Sequence, residues 1–222
     1  MLKLLPASRY DVPALQAWFS DQAKKGWLLD YWCGWCVFRR GEPAELQFRL
    51  EPAADGEYKP SEEKLEAYLD AGWEYVCKTS ATQEEFFVWR SARPDPAELY
   101  TEPESESIRY QWLWKRYWRA GLWCCAPLPA LPGLINALLT MQRGGTGWAS
   151  LCWMLAAILL LTALCAARIY VDQRALRRLR NALRTGVPMP CRGRYGYLYP
   201  LQLALVLAFL LNLLLPFVLI AA

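Results

Sequence analysis

The chain has 222 residues, of which 55% are hydrophobic and 21% are charged, and its formal net charge is +4. It contains no histidine, which excludes the commonest general base and the commonest zinc ligand. The charge is unevenly divided: residues 1–108 carry 12 Lys/Arg and 20 Asp/Glu, a net charge of −8, whereas residues 109–222 carry 13 Lys/Arg and one Asp, a net charge of +12. We therefore expect an acidic domain over 1–108, a juxtamembrane linker over 109–119 and a basic, apolar region over 120–222.

The first half of the acidic domain has the signals of a helix followed by strands. Asp11 predicts a helix cap, Pro13 lies in the first turn and Gly26 predicts the end, so a helix is expected over roughly 12–25. Aromatic and β-branched residues then predict strands near 27–32, 36–38 and 46–50. The Gly/Pro turn at 40–43 predicts that strands 36–38 and 46–50 form a hairpin.

The same order of elements returns in the second half of the acidic domain. Ser61 predicts the cap of a helix over 62–70, and strands are expected over 73–77 and 85–90. With a short leading strand at 2–5, this repeat predicts an α+β sandwich with a ferredoxin-like arrangement and one extra strand. Five residues are expected to anchor helix against sheet: Trp18, Gly26, Trp27, Gly72 and Trp73.

Three long stretches without charge follow the acidic domain, and they predict an all-α region of three transmembrane helices at about 120–142, 146–168 and 197–220. A hydrocarbon core of ~30 Å needs ~20 helical residues. Three prolines, at 127, 129 and 132, predict a kink in the first of these helices, with a re-entrant segment as the alternative. The tyrosines at 195, 197 and 199 are typical of an interfacial aromatic belt.

The basic segment at 168–194 sets the expected orientation. Its many arginines predict that it lies in the cytoplasm together with the N-terminus, so we expect a multi-pass protein of a bacterial inner membrane whose C-terminus is extracytoplasmic. Residues 169–185 should extend the second helix, with Leu176, Leu179 and Leu183 on one apolar face. Contact with lipid or a partner is expected through Arg174, Arg177, Arg178, Arg180 and Arg184; docking of the acidic domain on this segment is the alternative.

The sequence gives no catalytic, cofactor-binding or metal-binding constellation. Cys33-Gly34-Trp35-Cys36 is a C-x-x-C sequence in or beside a predicted strand. Residues three apart on a regular strand face opposite ways, so we interpret both thiols as core residues. A redox pair or a metal site remains the alternative.

Several short motifs resemble the bacterial domain of unknown function 2812 family over about residues 1–110. They are Trp18, Lys24-Lys25-Gly26-Trp27, Val37-Phe38, Gly41-Glu42-Pro43, Phe48-Arg49-Leu50, Ala71-Gly72-Trp73-Glu74-Tyr75-Val76 and Glu98-Leu99-Tyr100-Thr101 with Ser105 and Ser107. The resemblance implies a C-terminal membrane region. Because similar proteins are often encoded beside PadR-type transcriptional regulators, it also implies a membrane-associated regulatory or stress-response role. It implies no catalytic residues.

We therefore expect a membrane-anchored, non-enzymatic regulatory or protein-binding module. Its expected partners are membrane lipid and a protein that binds the acidic domain, in the pathway of a transcriptional regulator. A homo-oligomer is also compatible with the sequence. No cofactor and no nucleic acid are expected, because an acidic domain repels a phosphate backbone. The alternatives are a small oligomeric transport or efflux component and an enzyme acting at the membrane surface.

Overall fold

A computed structural model describes residues 1–33, 35–53, 57–79, 86–97, 148–185 and 195–221. Its elements in chain order are β1 (Leu2–Leu4), α1 (Val12–Lys24), β2 (Trp27–Cys33), β3 (Trp35–Arg40), β4 (Gln47–Pro52), α2 (Glu62–Asp70), β5 (Glu74–Lys78), β6 (Phe86–Ser91), α3 (Trp148–Thr185) and α4 (Tyr199–Ala221). The chain divides into two compact units. The first combines Met1–Arg116 with Arg174–Leu198, and the second combines Tyr117–Gln173 with Tyr199–Ala222.

The strands of the first unit form two separate antiparallel sheets of three strands each. Sheet A has the order β1-β3-β2, and sheet B has the order β4-β6-β5. A single parallel bridge joins them, between Trp32 of β2 and Thr79 beyond β5. The predicted ferredoxin-like arrangement is therefore wrong, because β4 pairs with β6 of its own sheet and not with any strand of sheet A.

The hairpin predicted at residues 40–43 is also wrong. The chain after β3 is held by the end of α1: the Gly41 amide donates to the Gly26 carbonyl over 3.0 Å, and the Ala44 amide donates to the Ala23 carbonyl over 3.1 Å. These bonds direct the chain away from β3 and towards sheet B. The hairpin of this region lies earlier, where Cys33 of β2 faces Trp35 of β3.

Helices α1 and α2 lie where the local signals predicted them, but their caps differ. The Ser61 hydroxyl accepts a hydrogen bond from the Lys64 amide over 3.3 Å, as expected for the cap of α2. Asp11 precedes α1 without a side-chain capping bond. Its carboxylate instead accepts a hydrogen bond from the hydroxyl of Tyr197, a partner that is distant in the sequence.

An aromatic core lies between α1 and the inner faces of the two sheets. Trp18 of α1 meets Phe38 of β3 edge to face, with ring centroids 5.4 Å apart. Phe19 contacts Phe48 of β4, with centroids 5.5 Å apart, and Trp32 of sheet A stacks on Phe86 of sheet B. The opposite face of sheet A is different, since it exposes Leu2, Leu4 and Trp35.

Sheet B is covered on both faces. Phe86, Phe87, Val88 and Trp89 of β6 are all essentially inaccessible to solvent. Successive strand residues point to opposite faces, so Phe86 and Val88 face the first core while Phe87 and Trp89 face α2. The second core combines Phe87 and Trp89 with Ala53, Tyr68 and Trp73. β6 is thus the strand that both cores share.

The predicted transmembrane region requires a correction. Helices occupy 148–185 and 199–221, and α3 continues through the basic segment as predicted. However, no helix in the described part of the chain is both long enough and apolar enough to cross a membrane. The prediction counted uncharged residues, which is a weaker condition than an apolar helix of membrane-spanning length. The helix predicted at 120–142 lies outside the described residues.

Two glycines with positive φ provide a test of the fold. Gly26 has φ +76°, and an added Cβ would lie 2.8 Å from the backbone oxygen of Gly41. Gly72 has φ +89°, and the three atoms nearest to its added Cβ would all belong to the side chain of Arg93. The left-handed conformation costs a residue with a side chain about 1–2 kcal/mol, and only the Arg93 side chain can move aside. Gly26→Ala should therefore lower the free energy of unfolding by more than Gly72→Ala does.

Urea titrations of the full chain, followed by tryptophan fluorescence, would measure both losses. Equal losses for the two variants, or a larger loss for Gly72→Ala, would contradict the close approach of Gly26 to Gly41.

Candidate functional site

Residues 195–198, here called the tyrosine segment, lie against the loop between β1 and α1. The amides of Gly196 and Leu198 both donate to the carbonyl oxygen of Pro6, over 2.9 and 3.2 Å. Leu198 is completely buried. Two backbone hydrogen bonds and one buried leucine therefore hold this segment on the N-terminal domain. The segment lies about 190 residues further along the chain than Pro6.

Both tyrosine hydroxyls of the segment bond to the N-terminal domain. The hydroxyl of Tyr197 accepts a hydrogen bond from the Ser8 amide over 2.9 Å and donates one to the Asp11 carboxylate over 3.0 Å. The hydroxyl of Tyr195 donates to the carboxylate of Asp21 in α1. Hydrogen bonds to an ionised acceptor are roughly twice as strong as neutral ones, so the acidic side chains of α1 and its preceding loop select these hydroxyls.

The local sequence explains why the loop needs such a partner. Leu5, Ala7 and Ser8 are almost completely buried, and buried backbone groups that lack hydrogen bonds are costly. The tyrosine segment supplies donors to Pro6 and an acceptor to Ser8. Gly196 adopts φ +102°, a conformation that residues with side chains rarely accept.

The predicted contact residues of the basic segment fall on two sides of α3. Arg174, Arg177 and Arg178 are exposed, and Arg180 is partly buried. Leu176 and Leu179 are buried, in agreement with the predicted apolar face, while the side chains of Leu183 and Arg184 lie outside the described residues. Sequence reasoning anticipated a contact between this region and the acidic domain through arginines, whereas the structure places tyrosines 195 and 197 on its carboxylates.

A buried polar network lies between sheet B and α2, and sequence reasoning missed it. Glu51 of β4 is only 5% exposed, and its carboxylate accepts hydrogen bonds from the Tyr68 hydroxyl at 2.9 Å and the Trp89 indole at 3.3 Å. The Lys64 ammonium group is 2.9 Å from the same carboxylate. The ring of Tyr68 stacks on that of Trp89 with centroids 3.9 Å apart. The sequence signal that could have revealed this network is the acidic residue Glu51, which follows Phe48 and Leu50 in the same strand.

This network is suited to packing and not to chemistry. The carboxylate is surrounded by donors from two elements, and Lys64 also lies 5.0 Å from the ring of Phe87. Removal of one partner of such a buried pair strongly destabilises the folded protein, because the other charge is left uncompensated. We therefore interpret Glu51 and Lys64 as residues that fix α2 on sheet B.

Cys36 and Cys77 of the first unit are buried thiols with low reactivity. Cys33 and Cys36 lie on the two facing strands of the β2–β3 hairpin, and both are free, as is Cys77. Burial raises the pKa of Cys77 to about 12 and raises the pKa of Cys36 even further. The thiolate is the reactive form, so these two thiols are poor nucleophiles. Among the described residues no cluster of His, Cys, Asp or Glu could hold a metal ion.

The predicted anchors lie at the joints between helix and sheet. Trp18 and Trp73 are almost completely buried, and the Trp73 indole donates to the Ala97 carbonyl over 3.0 Å. Trp27 is only partly buried and lies beside the side chains of Lys3 and Arg40. Gly26 and Gly72 end the two helices with positive φ.

These observations define an α+β domain of two small antiparallel sheets that binds a tyrosine-containing segment from further along its own chain. Residues 14–123 match the model of the family described as "Protein of unknown function (DUF2812)". This match confirms the resemblance of the N-terminal region to the DUF2812 family that its motifs predicted. Comparison with curated proteins and with solved structures gave no match.

Removal of the Glu51 charge should destabilise the domain. Glu51→Gln keeps an acceptor for Tyr68 but leaves the Lys64 cation without its closest carboxylate, so we expect a loss of about 3 kcal/mol in the free energy of unfolding. The double variant Glu51→Gln/Lys64→Met should recover part of this loss. Glu66→Gln on the exposed side of α2 is the control, and a loss no larger than the control's would contradict the network.

The buried thiols should react slowly. In the native chain at about pH 8, iodoacetamide should modify Cys36 and Cys77 about a hundredfold or more slowly than in the urea-unfolded chain, because burial limits access and the raised pKa removes the thiolate. Site-resolved mass spectrometry measures both rates. Modification of Cys77 at the unfolded rate would show that the thiol is exposed.

Proposed function

We propose that this protein is a non-enzymatic regulatory or protein-binding module whose N-terminal domain binds a tyrosine-containing segment. The observation that carries the proposal is the pair of tyrosine hydroxyls on Asp11 and Asp21, together with the two amides on the Pro6 carbonyl. In this arrangement the chain's own residues 195–198 occupy the binding surface. A partner that offers similar donors would compete for the same surface.

These hydrogen bonds are weak enough that the tyrosine segment can be released from the domain. A hydrogen bond to a charged group contributes about 1.5–3 kcal/mol net, and a ligand shifts an equilibrium only by its difference in affinity between the two states. Two such bonds hold the segment in place without making its release impossible.

The groups that could perform chemistry support a non-enzymatic role. Glu51 is enclosed by Lys64, Tyr68 and Trp89, and the pKa values of Cys36 and Cys77 are raised by burial. A catalytic group needs access to its substrate and a pKa near the working pH. Burial denies a substrate access to Glu51, Cys36 and Cys77, and the raised pKa values of the two thiols keep them protonated near neutral pH.

Association with lipid is the second part of the proposal. In the second unit, large apolar side chains point outward from both helices: Leu155, Leu159 and Leu160 of α3 and Leu203, Val206, Leu207 and Phe209 of α4. Exposed apolar surface of this kind is a mark of lipid or protein interaction. The exposed arginines Arg174, Arg177 and Arg178 would add attraction to anionic lipid. We therefore propose that the protein associates with the cell membrane.

In-cell photo-crosslinking of the full chain would test the tyrosine contact. A photoreactive residue at position 17 lies on the same face of α1 as Asp21, one turn away. We expect it to link to the tyrosine segment of the same chain. Tyr195→Phe/Tyr197→Phe removes both hydroxyls, so this internal link should fall about tenfold or more, and links to a second protein should increase.

Tyr58→Phe is the matched control, because its hydroxyl belongs to a side chain that is 82% exposed and its removal should leave the link unchanged. An internal link that is equally strong in the double variant, or that never forms in the wild-type chain, would contradict the proposal.

A further inference from the structure

A cluster of cations surrounds Trp27 at the end of sheet A. The Lys3 ammonium lies 5.6 Å from the centre of the Trp27 ring, and the Arg40 guanidinium lies 4.9 Å from it. Lys25 is close enough to Lys3 that its charge, after burial, helps to lower the pKa of Lys3. Lys3, Lys25 and Arg40 are here called the cationic cluster. Lys3 lies in β1, Lys25 directly follows α1 and Arg40 ends β3, so the fold and not the local sequence brings them together.

The backbone under the cluster is fixed. Gly26 follows Lys25, and Gly41 follows Arg40; the amide of Gly41 donates to the carbonyl of Gly26 over 3.0 Å. A Cβ on Gly26 would lie 2.8 Å from the Gly41 oxygen, so the two chain segments are in direct contact. Lys3 is positioned by donating to the side chain of Gln22, which is 5% exposed. The backbone that carries the cluster and the side chain of Lys3 are therefore in place before any ligand arrives, which favours binding.

The charge of the cluster is opposite to that of its domain. Residues 1–108 have a net charge of −8, yet within the described ranges no carboxylate forms an ion pair with Lys3, Lys25 or Arg40. Lys24 differs, since it pairs with Glu45 over 3.8 Å. Three like charges placed together repel one another, and an anion bound among them would remove that repulsion.

We propose that the cationic cluster is a binding site for a phosphate group, carried either by an anionic lipid headgroup or by a free phosphate compound. Arginine presents a planar fork of donors that fits phosphate oxygens, and lysine adds a compact charge. Three cations offer more hydrogen-bond donors than a single carboxylate can use, whereas a phosphate group has enough oxygens to accept from all three. The partly buried indole of Trp27 forms the side of the site. This inference is independent of the tyrosine segment, which contacts the domain through other residues.

Calorimetric titration of the purified full chain would test the site with two probes. Inorganic phosphate represents the free ligand, and a short-chain phosphatidylglycerol below its micellar concentration represents the lipid headgroup. We expect saturable binding of at least one probe, weakened about tenfold or more in Lys3→Gln/Arg40→Gln. Tighter binding of the lipid probe would identify a headgroup site, and tighter binding of inorganic phosphate would identify a free-phosphate site.

Lys59→Gln removes one exposed charge elsewhere in the domain and should bind both probes as the wild-type chain does. Lys25→Gln is a second test variant, because this exposed side chain can be replaced without disturbing the contact with Gln22. Binding that is absent for both probes in the wild-type chain overturns the proposal. Equal binding by the wild-type chain and both test variants overturns it as well.

Discussion

The carbonyl group of Pro6 connects the two parts of the chain that form the first unit. It accepts hydrogen bonds from Gly196 and Leu198, and so joins the beginning of the chain to a segment that lies between two long helices. The surrounding loop is buried and needs these partners. Asp11 and Asp21 then give the contact its chemical selectivity, because each carboxylate accepts the hydroxyl proton of one tyrosine.

The two-sided burial of β6 provides the frame for this contact. Phe86 on one face touches the aromatic core built by α1, and Trp89 on the other face stacks against α2 and reaches Glu51. α1 is thereby fixed relative to both sheets, and α1 carries Asp21 and follows Asp11. The rigid core thus determines where the two carboxylates stand. The cationic cluster lies just after the C-terminal end of α1, where Lys25 and Gly26 meet the end of β3.

Local sequence signals predicted the local structure correctly, but they did not predict contacts between residues that are distant in the sequence. α2 lies at residues 62–70 as expected, because Ser61 and Gly72 act within one turn of its ends. The pairing of β4 with β6 could not be predicted, since nothing near residue 47 specifies a partner at residue 91. Asp11 shows the same limit. It was predicted to cap α1, but its carboxylate instead accepts a hydrogen bond from the hydroxyl of Tyr197. The family motifs did identify the domain, and the apolar stretches did not yield the predicted spans.

Hydrogen exchange of the full chain tests the central claim most directly. The amides of Gly196 and Leu198 should exchange slowly in the wild-type chain, because both are bonded to Pro6. In Asp11→Asn/Asp21→Asn they should exchange faster, while the amides of β6 keep their protection, since the core is untouched. Exchange of residues 195–198 at the rate of an unstructured peptide in the wild-type chain would show that the segment does not rest on the domain, and the account would fail at its central point.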